Sequence, residues 1–222
     1  MNILERVLSM VAPHECVGCG KEDTLLCEVC RIDIVGTIPS RCYRCHKLTR
    51  QFQVCDTCRR KVVPRHVWIA TEYSGLPKEL IHRLKFERAK SASGIIATIL
   101  DDFLPLLPDD TIVTFIPTTP SRIRVRGYDQ SQLIAKQFAY LRGLVFEDLI
   151  SRSATTRQVG SSRKTRFEQM ANAFEMKKQK VIQGRTVLLI DDVLTTGATI
   201  QSASRLLADS GAKRVEVAVF AH

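Results

Sequence analysis

The run Val187-Leu188-Leu189-Ile190-Asp191-Asp192-Val193-Leu194-Thr195-Thr196-Gly197-Ala198-Thr199 decides how this 222-residue chain is to be folded. Its four leading apolar residues have the length and branching of a buried strand. Two carboxylates stand at the strand's carboxyl end, followed by a short Thr/Gly loop. Ile200 to Leu207 then reads as an amphipathic helix with Ile200, Ala203, Leu206 and Leu207 on one face. A strand, a small-residue loop and a helix start make an anion site, because free backbone N–H groups and the positive helix end point at the loop. Gly197 can take positive φ and lets a ligand approach the backbone. The hydroxyls of Thr195, Thr196 and Thr199 can each donate to a phosphate oxygen.

An acid at a strand end often does no more than cap a turn. Two in tandem, directly before a phosphate cradle, point to a grip on vicinal ribose hydroxyls or on a hard cation such as magnesium held by a pyrophosphate. The run resembles the phosphoribosyl-pyrophosphate (PRPP) signature of type I phosphoribosyltransferases. That resemblance implies that Asp191 and Asp192 hold the ribose diol, and that Thr195, Thr196, Gly197, Ala198 and Thr199 hold the 5′-phosphate.

Length allows one sizeable domain and a small one. No apolar run reaches the ~18 residues that span a bilayer. Met1 to Pro13 lacks the basic start and long apolar core of a secretory signal. Ile3, Leu4, Val7, Leu8 and Val11 fit a short amphipathic helix there, and a cytoplasmic location is expected. The net charge of +10 favours polyanionic partners, whether phosphate-rich small molecules or nucleic acid. The plainer alternative is a solvated basic surface, but the charge is clustered. Arg41 to Arg65 holds eight Lys or Arg against one acid, Asp56, a net of +7 that includes the run Arg59-Arg60-Lys61.

All eight cysteines fall between Cys16 and Cys58, as four CxxC pairs: Cys16/Cys19, Cys27/Cys30, Cys42/Cys45 and Cys55/Cys58. Each pair can chelate one metal ion, and two pairs complete a tetrahedral S₄ site, so two structural zinc ions are expected. Disulfides and iron–sulfur clusters are the alternatives. Sequential pairing of the knuckles is the simplest, and a cross-braced pairing stays open. With few large apolar residues here, metal would supply much of the folding free energy. His14 and His46 flank ligand positions that cysteines already fill. The chemistry divides the chain into a cysteine-rich module, 1–65, and a second domain, 66–222.

Beyond the cysteines, 67–73 reads as a strand with Trp68 at the domain junction. A helix with Leu76, Leu80, Ile81 and Leu84 inward follows, its other face carrying Lys78, His82, Arg83 and Lys85. A second helix is predicted over 93–106, with Ile95, Ile96, Ile99, Leu100 and Phe103 inward. A buried strand over 111–116 leads into a loop with Thr118, Thr119, Arg122, Arg124 and Arg126, and then a helix over 131–141. Arginine at the carboxyl end of such a strand suits a pyrophosphate, since its fork pairs bidentately with phosphate oxygens. A third strand is expected over 144–150, a long basic loop over 151–169, a short strand at 173–175 and a last strand over 213–222. Alternating strands and helices predict an α/β fold, a parallel sheet flanked by helices.

The chain as a whole resembles the ComF family, which joins N-terminal cysteine knuckles to a phosphoribosyltransferase domain. The matching pieces are the CxxC pairs, Arg-x-Arg-Gly-Tyr-Asp-Gln at 124–130, the segment 158–166, Asn172 with Phe174, and the 187–199 signature. The chain departs from the family's usual pattern at Ile116-Pro117-Thr118-Thr119-Pro120, and at Tyr128 and Asp129, where Phe and Asn are common. The resemblance implies PRPP or pyrophosphate–magnesium binding, with Thr118, Thr119 and Arg122 on the pyrophosphate and Arg163, Lys164 and Arg166 as candidate catalytic residues. It further implies handling of incoming single-stranded DNA in natural transformation, with the helicase or recombination proteins of DNA uptake as partners. The basic residues Arg59, Arg60 and Lys61 are the nucleic-acid candidates. The alternative is an active phosphoribosyltransferase, in which an acceptor attacks the ribose C1 carbon and magnesium holds the leaving pyrophosphate.

Overall fold

A computed structural model describes residues 15–34, 38–60, 62–152 and 173–222. The expected N-terminal helix, His14, Lys61, Arg157, Arg163, Lys164, Arg166 and Asn172 lie outside the described residues.

The cysteine-rich part is one small unit built twice. In the first copy the Gly20 N–H donates to the Cys16 carbonyl (2.9 Å) and the Cys16 N–H to the Lys21 carbonyl (2.8 Å). In the second, His46 N–H donates to Cys42 O and Cys42 N–H to Lys47 O, both at 2.9 Å. The turn needs a left-handed residue, filled by Gly20 (φ 74°) and, without glycine's freedom, by His46 (φ 59°). Each copy ends in a helix that starts on its third cysteine: α1 (Glu28–Ile34) after Cys27, and the single turn α2 (Asp56–Arg59) after Cys55.

The rest of the chain alternates strand and helix. It runs β1 (Val67–Thr71), α3 (Gly75–Phe86), α4 (Ser91–Phe103), β2 (Ile112–Phe115), α5 (Pro120–Arg126), α6 (Gln130–Arg142), β3 (Val145–Phe146), β4 (Ile150–Arg152), β5 (Phe174–Met176), β6 (Thr186–Val193), α7 (Ala198–Asp209) and β7 (Arg214–Ala221). Five strands form a parallel sheet in the order β1-β7-β6-β2-β3, and β4 pairs antiparallel with β5. Strand β7 is buried over Val215–Ala221 rather than on alternate residues, as an interior strand of a covered parallel sheet must be.

Four expectations are corrected. The stretch 144–150 is divided: β3 joins the main sheet beside β2, while β4 leaves it for β5. Ser151 and Arg152 belong to β4, so the basic loop begins later than its composition indicates. The helix expected over 93–106 stops at Phe103, because Leu104 precedes Pro105 and is held extended (ψ 143°). The arginine-rich loop after β2 contains a helix, α5, opened by Pro120 and closed by left-handed Gly127 (φ 83°), with none of its residues buried. Lack of an apolar face hides such a helix from periodicity.

The core rests on Leu80, Ile81, Leu84, Ile96, Ile99, Leu100, Ile134 and Phe138, all fully buried. The cysteine units pack on this body. Leu76 of α3 and Cys30 both lie against Gly18. Arg31 of α1 pairs with Asp102 of α4, and Phe52 meets Phe103 edge-on at 5.3 Å. The Val67 N–H donates to Phe52 O (3.1 Å) and the Arg65 N–H to Val215 O (3.2 Å). Phe138→Ala in α6 should therefore cost about 3–5 kcal/mol in a denaturant melt. Tyr140→Ala, two residues away but 83% exposed, should stay within about 0.5 kcal/mol.

Candidate functional site

Both signature acids lie inside β6, not on a solvent-facing loop after it. The ladder to β7 continues past them, pairing Asp191 with Val219 and Val193 with Ala221. Asp192 is consequently buried, at 4% exposure. It forms an ion pair with Lys85, which sequence periodicity places on the outer face of α3 but which is only 17% exposed and turns to the strand end. Asp191 accepts from the Ser131 hydroxyl (3.0 Å) and from the Asp192 N–H (2.9 Å). Burial and the adjacent Asp192 carboxylate push Asp191 well above the usual carboxylate range.

A third carboxylate, Asp129, binds this end of the sheet together. It caps α6, accepting from Ser131 N–H (3.0 Å) and Gln132 N–H (3.3 Å), and it also accepts from Thr118 N–H at 2.7 Å. Burial raises its pKa against these three donors. Asp129 thus fixes the start of the proposed pyrophosphate loop to the helix that carries Ser131. On the other side of that loop the Ile116 N–H donates to Ile190 O (2.9 Å), and an Arg152 guanidinium N–H reaches Pro117 O (3.3 Å). The structure therefore brings Thr118 and the two signature acids to one sheet end. Thr119 is half-buried and opens α5, its carbonyl accepting from Ile123 N–H. Arg122 and Arg124 stand exposed on α5 and pair with no acid among the described residues.

The Thr/Gly loop leads directly into α7. Gly197 has φ 73° and caps the helix without a side-chain bond. The Ala198 N–H donates weakly to Thr196 Oγ1 (3.4 Å), and Thr195 and Thr196 are exposed. The expected close approach to Gly197 exists, but a side chain of the cysteine module makes it. A Cβ on Gly197 would fall 2.7 Å from the ring of Tyr43. Tyr43 directly follows Cys42, and its ring is buried, which raises its pKa to about 12. Beside it His46 stacks on His222 (6.1 Å, 4°), and the His222 ring meets Leu194 O at 2.9 Å.

The eight cysteines, all free thiols, gather as Cys16/Cys19/Cys27/Cys30 and Cys42/Cys45/Cys55/Cys58, with the ligand atoms of each group within 4.8 Å of one another. The pairing of knuckles is sequential. Tetrahedral zinc with Zn–S of about 2.3 Å holds its sulfurs about 3.8 Å apart. The Cys19–Cys27 and Cys45–Cys55 sulfurs are 3.6 and 3.5 Å apart. Burial opposes ionisation of Cys16, yet backbone N–H groups of Cys27, Cys19 and Gly18 outweigh it and lower the thiol to about 6. Cys42 is lowered to about 7 in the same way, against burial, by the backbone of Cys55, Arg44 and Cys45. Hydrogen bonding with Cys27 followed by burial raises Cys30 to about 12, and burial followed by Cys45 and Cys55 does the same to Cys58. Four thiolates cannot coexist here without a cation, and a divalent metal would reverse that balance. The donor sets fit zinc. The signature acids form no cluster of three ligand groups among the described residues. Asp191 and Asp192 offer the two carboxylates that a magnesium ion would take beside its waters and a ligand's phosphates.

Arg41, Arg44, Lys47, Arg50, Arg59 and Arg60 are exposed and pair with no described acid. Among the described residues, no hydrogen bond or ion pair joins Arg59 or Arg60 to residues 194–199. No helix among the described residues is long and apolar enough to cross a membrane.

Sequence reasoning missed Lys85, Asp129, Ser131 and Tyr43 as parts of this site. Only the Asp129 cap had a local signal, an acid two residues before Ser131 at a helix start. The other three arrive by tertiary packing.

Residues 123–222 match the phosphoribosyl transferase domain family. Over most of its length the chain is similar to the DNA utilization protein YhgH of Shigella flexneri, 31% identical over 205 residues, covering 86% of this chain and 88% of that protein. The competence protein ComFC of Streptococcus pneumoniae is 29% identical over 199 residues, covering 88% and 86%. Among solved structures, the allosteric regulatory enzyme of purine biosynthesis aligns with 59% of this chain and 25% of its own, at 20% identity and a TM-score of 0.45.

Two predictions follow from the geometry. Elemental analysis should find about two zinc ions per chain, and Cys19→Ser and Cys45→Ser should each lower that to about one. Asp191 titrates above its unfolded value of about 3.9, so its favourable term is complete below that pH and is lost as pH rises through the raised folded value. Asp191→Asn should therefore stabilise the unliganded protein at neutral pH, by on the order of 1 kcal/mol or about 2–4 °C in Tm, with the gain vanishing toward pH 4.

Proposed function

This chain belongs to the ComF family, and on that premise we propose that it binds PRPP with magnesium and handles single-stranded DNA during DNA uptake. The observation that carries the reading is one contact. A basic, cysteine-held knuckle seats Tyr43 against Gly197 of the phosphate loop, so a polyanion-binding surface and a phosphoribosyl cradle adjoin. In this reading residues 1–65 form the zinc-braced nucleic-acid module and residues 66–222 the phosphoribosyl-binding unit.

Asp191 and Asp192 take the ribose hydroxyls, Asp192 keeping Lys85 as its counter-ion. The N–H groups and hydroxyls from Thr195 to Thr199 take the 5′-phosphate, with the helix end adding positive potential. Thr118, Thr119 and Arg122 face the pyrophosphate, and Arg152 at Pro117 adds a cation beside them. Magnesium, when bound, neutralises the pyrophosphate and links it to the carboxylates. Single-stranded DNA runs over the exposed Arg41, Arg44, Lys47, Arg50, Arg59 and Arg60, held through its phosphates. The protein acts in the cytoplasm, where its thiols stay reduced and the strand arrives, and passes DNA to the helicase or recombination proteins of uptake. PRPP serves as a ligand that biases DNA handling rather than as a donor.

Asp191→Asn with Asp192→Asn should weaken magnesium–PRPP binding at least about tenfold in a calorimetric titration, since charge-assisted bonds are worth about 1.5–3 kcal/mol each. Unchanged affinity in the folded double variant would remove the cradle reading. Pyrophosphate release from PRPP in the presence of an acceptor would favour the transferase instead.

Affinity for single-stranded DNA should fall steeply with salt and exceed that for duplex at equal phosphate concentration. Arg59→Glu with Arg60→Glu should weaken binding more than Lys180→Glu with Lys213→Glu. Lys177 and Lys178 are unsuitable as controls because they pair with Asp148 and Glu147. Equal effects of the two pairs, with equal duplex binding, would leave only nonspecific attraction.

A further inference from the structure

The phosphate loop and the second cysteine group are mechanically joined, and the first cysteine group is not part of that joint. Tyr43 is held by its neighbour Cys42, a fully buried member of the second group. Its ring lies on the Cα of Gly197 so closely that no side chain fits between them. Gly197 is the left-handed residue on which the loop turns into α7. Two residues past the ligand Cys45's neighbour Arg44, His46 stacks on His222, whose ring bonds the carbonyl of Leu194 at the other end of the loop. One knuckle therefore contacts the loop directly at its turn, through Tyr43, and reaches its entrance by way of His222. The first group packs elsewhere, with Gly18 against Leu76 of α3.

A knuckle of this size has little apolar core, so its conformation depends on the metal that its thiols share. Glycine at the turn has no side chain to fix the loop from within. The restraint comes from outside, through the Tyr43 ring. Resting on the PRPP reading for the nature of the ligand, we infer that Tyr43 is a positioning residue for the phosphate loop. Metal occupancy of Cys42/Cys45/Cys55/Cys58 thereby sets the order of residues 194–199 and their affinity for a phosphoribosyl ligand. Coupling between two binding sites is reciprocal, so the ligand must tighten this metal site by the same factor. The first metal site, lacking the contact, must ignore the ligand.

The inference is tested on the full zinc-loaded chain with magnesium–PRPP as the probe, and in parallel without any ligand. In the ligand arm, release of zinc to a colorimetric chelator should show two phases, and PRPP should slow one of them about tenfold. Tyr43→Phe keeps the ring and should behave as the unaltered protein. Tyr43→Ala should lose the protection and bind PRPP about tenfold more weakly while still holding two zinc ions. In the ligand-free arm, amide hydrogen exchange at 195–199 should quicken about tenfold in Tyr43→Ala and in Cys45→Ser, but not in Cys19→Ser, the equivalent change in the first group. If Cys45→Ser fails to fold, Tyr43→Ala carries this arm alone. Exchange at 195–199 that is the same in Tyr43→Ala as in the unaltered protein overturns the inference whether or not PRPP binds. Failure of PRPP to bind, with the exchange differences present, overturns the PRPP reading and leaves the coupling in place.

Discussion

Strand β6 does not stop where its apolar residues stop. Its hydrogen bonds to β7 run on through Asp191 and Val193, carrying two adjacent carboxylates into a covered sheet. Charges placed there lose much of their hydration, and the surrounding elements are arranged around that cost. Lys85 is drawn from α3 to Asp192, the Ser131 hydroxyl is presented by α6 to Asp191, and Asp129 fixes the position of α6 by capping it. Asp129 in turn holds the Thr118 amide, so the loop after β2 inherits its position from the same requirement. A site assembled in this way is strained in its unliganded form, with Asp191 resisting ionisation. A ligand bringing hydroxyl donors or a divalent cation would relieve it. Groups that stabilise a ligand commonly destabilise the free protein for this reason.

The cysteine-rich units solve a different problem. A segment of this length with few large apolar residues cannot hold itself together by burial alone. Two copies of one turn-and-helix unit each draw four sulfurs to within 4.8 Å, with backbone N–H groups aimed at the first sulfur of each set. The same backbone economy leaves the outer surfaces free for arginine and lysine, which can stay exposed because they contribute nothing to the core. A basic surface is thus compatible with an interior that metal would hold, in a way that it would not be with a small hydrophobic core.

Buried apolar residues of the cysteine units, Leu25, Leu26, Ile34, Phe52 and Val54 among them, join one core with the sheet domain, and specific side-chain contacts fix how the two halves sit. Arg31 with Asp102 and Leu76 with Gly18 seat the first unit on the helices, and Phe52 of the second unit meets Phe103 of α4. Tyr43 and His46 seat the second unit at the carboxyl ends of the strands, where ligands bind in open α/β sheets. The second copy has therefore acquired a role that the first has not, although both are built alike.

Much of this was legible in the order of residues. A run of four apolar residues before two acids has the length and branching of an interior strand, and the strand–helix alternation around it predicts a parallel sheet. The CxxC spacing made each knuckle local, so the four cysteine pairs were legible before any fold. The Thr/Gly loop was recognisable because backbone amides and small side chains act over four or five consecutive positions. Three things had no local signature. Helix α5 carries no apolar stripe, so periodicity was blind to it. The extent of β6 depended on how far β7 runs beside it, which is a property of the pairing and not of either strand. Lys85, Ser131 and Tyr43 reach the site from α3, α6 and the second knuckle, across separations of up to 154 residues in the case of Tyr43 and Gly197. Local sequence determined the elements and the ligand chemistry. Which cation neutralises Asp192, which hydroxyl meets Asp191 and which ring closes on Gly197 were decided only by packing, because those choices rest on which helix faces lie over which strand end.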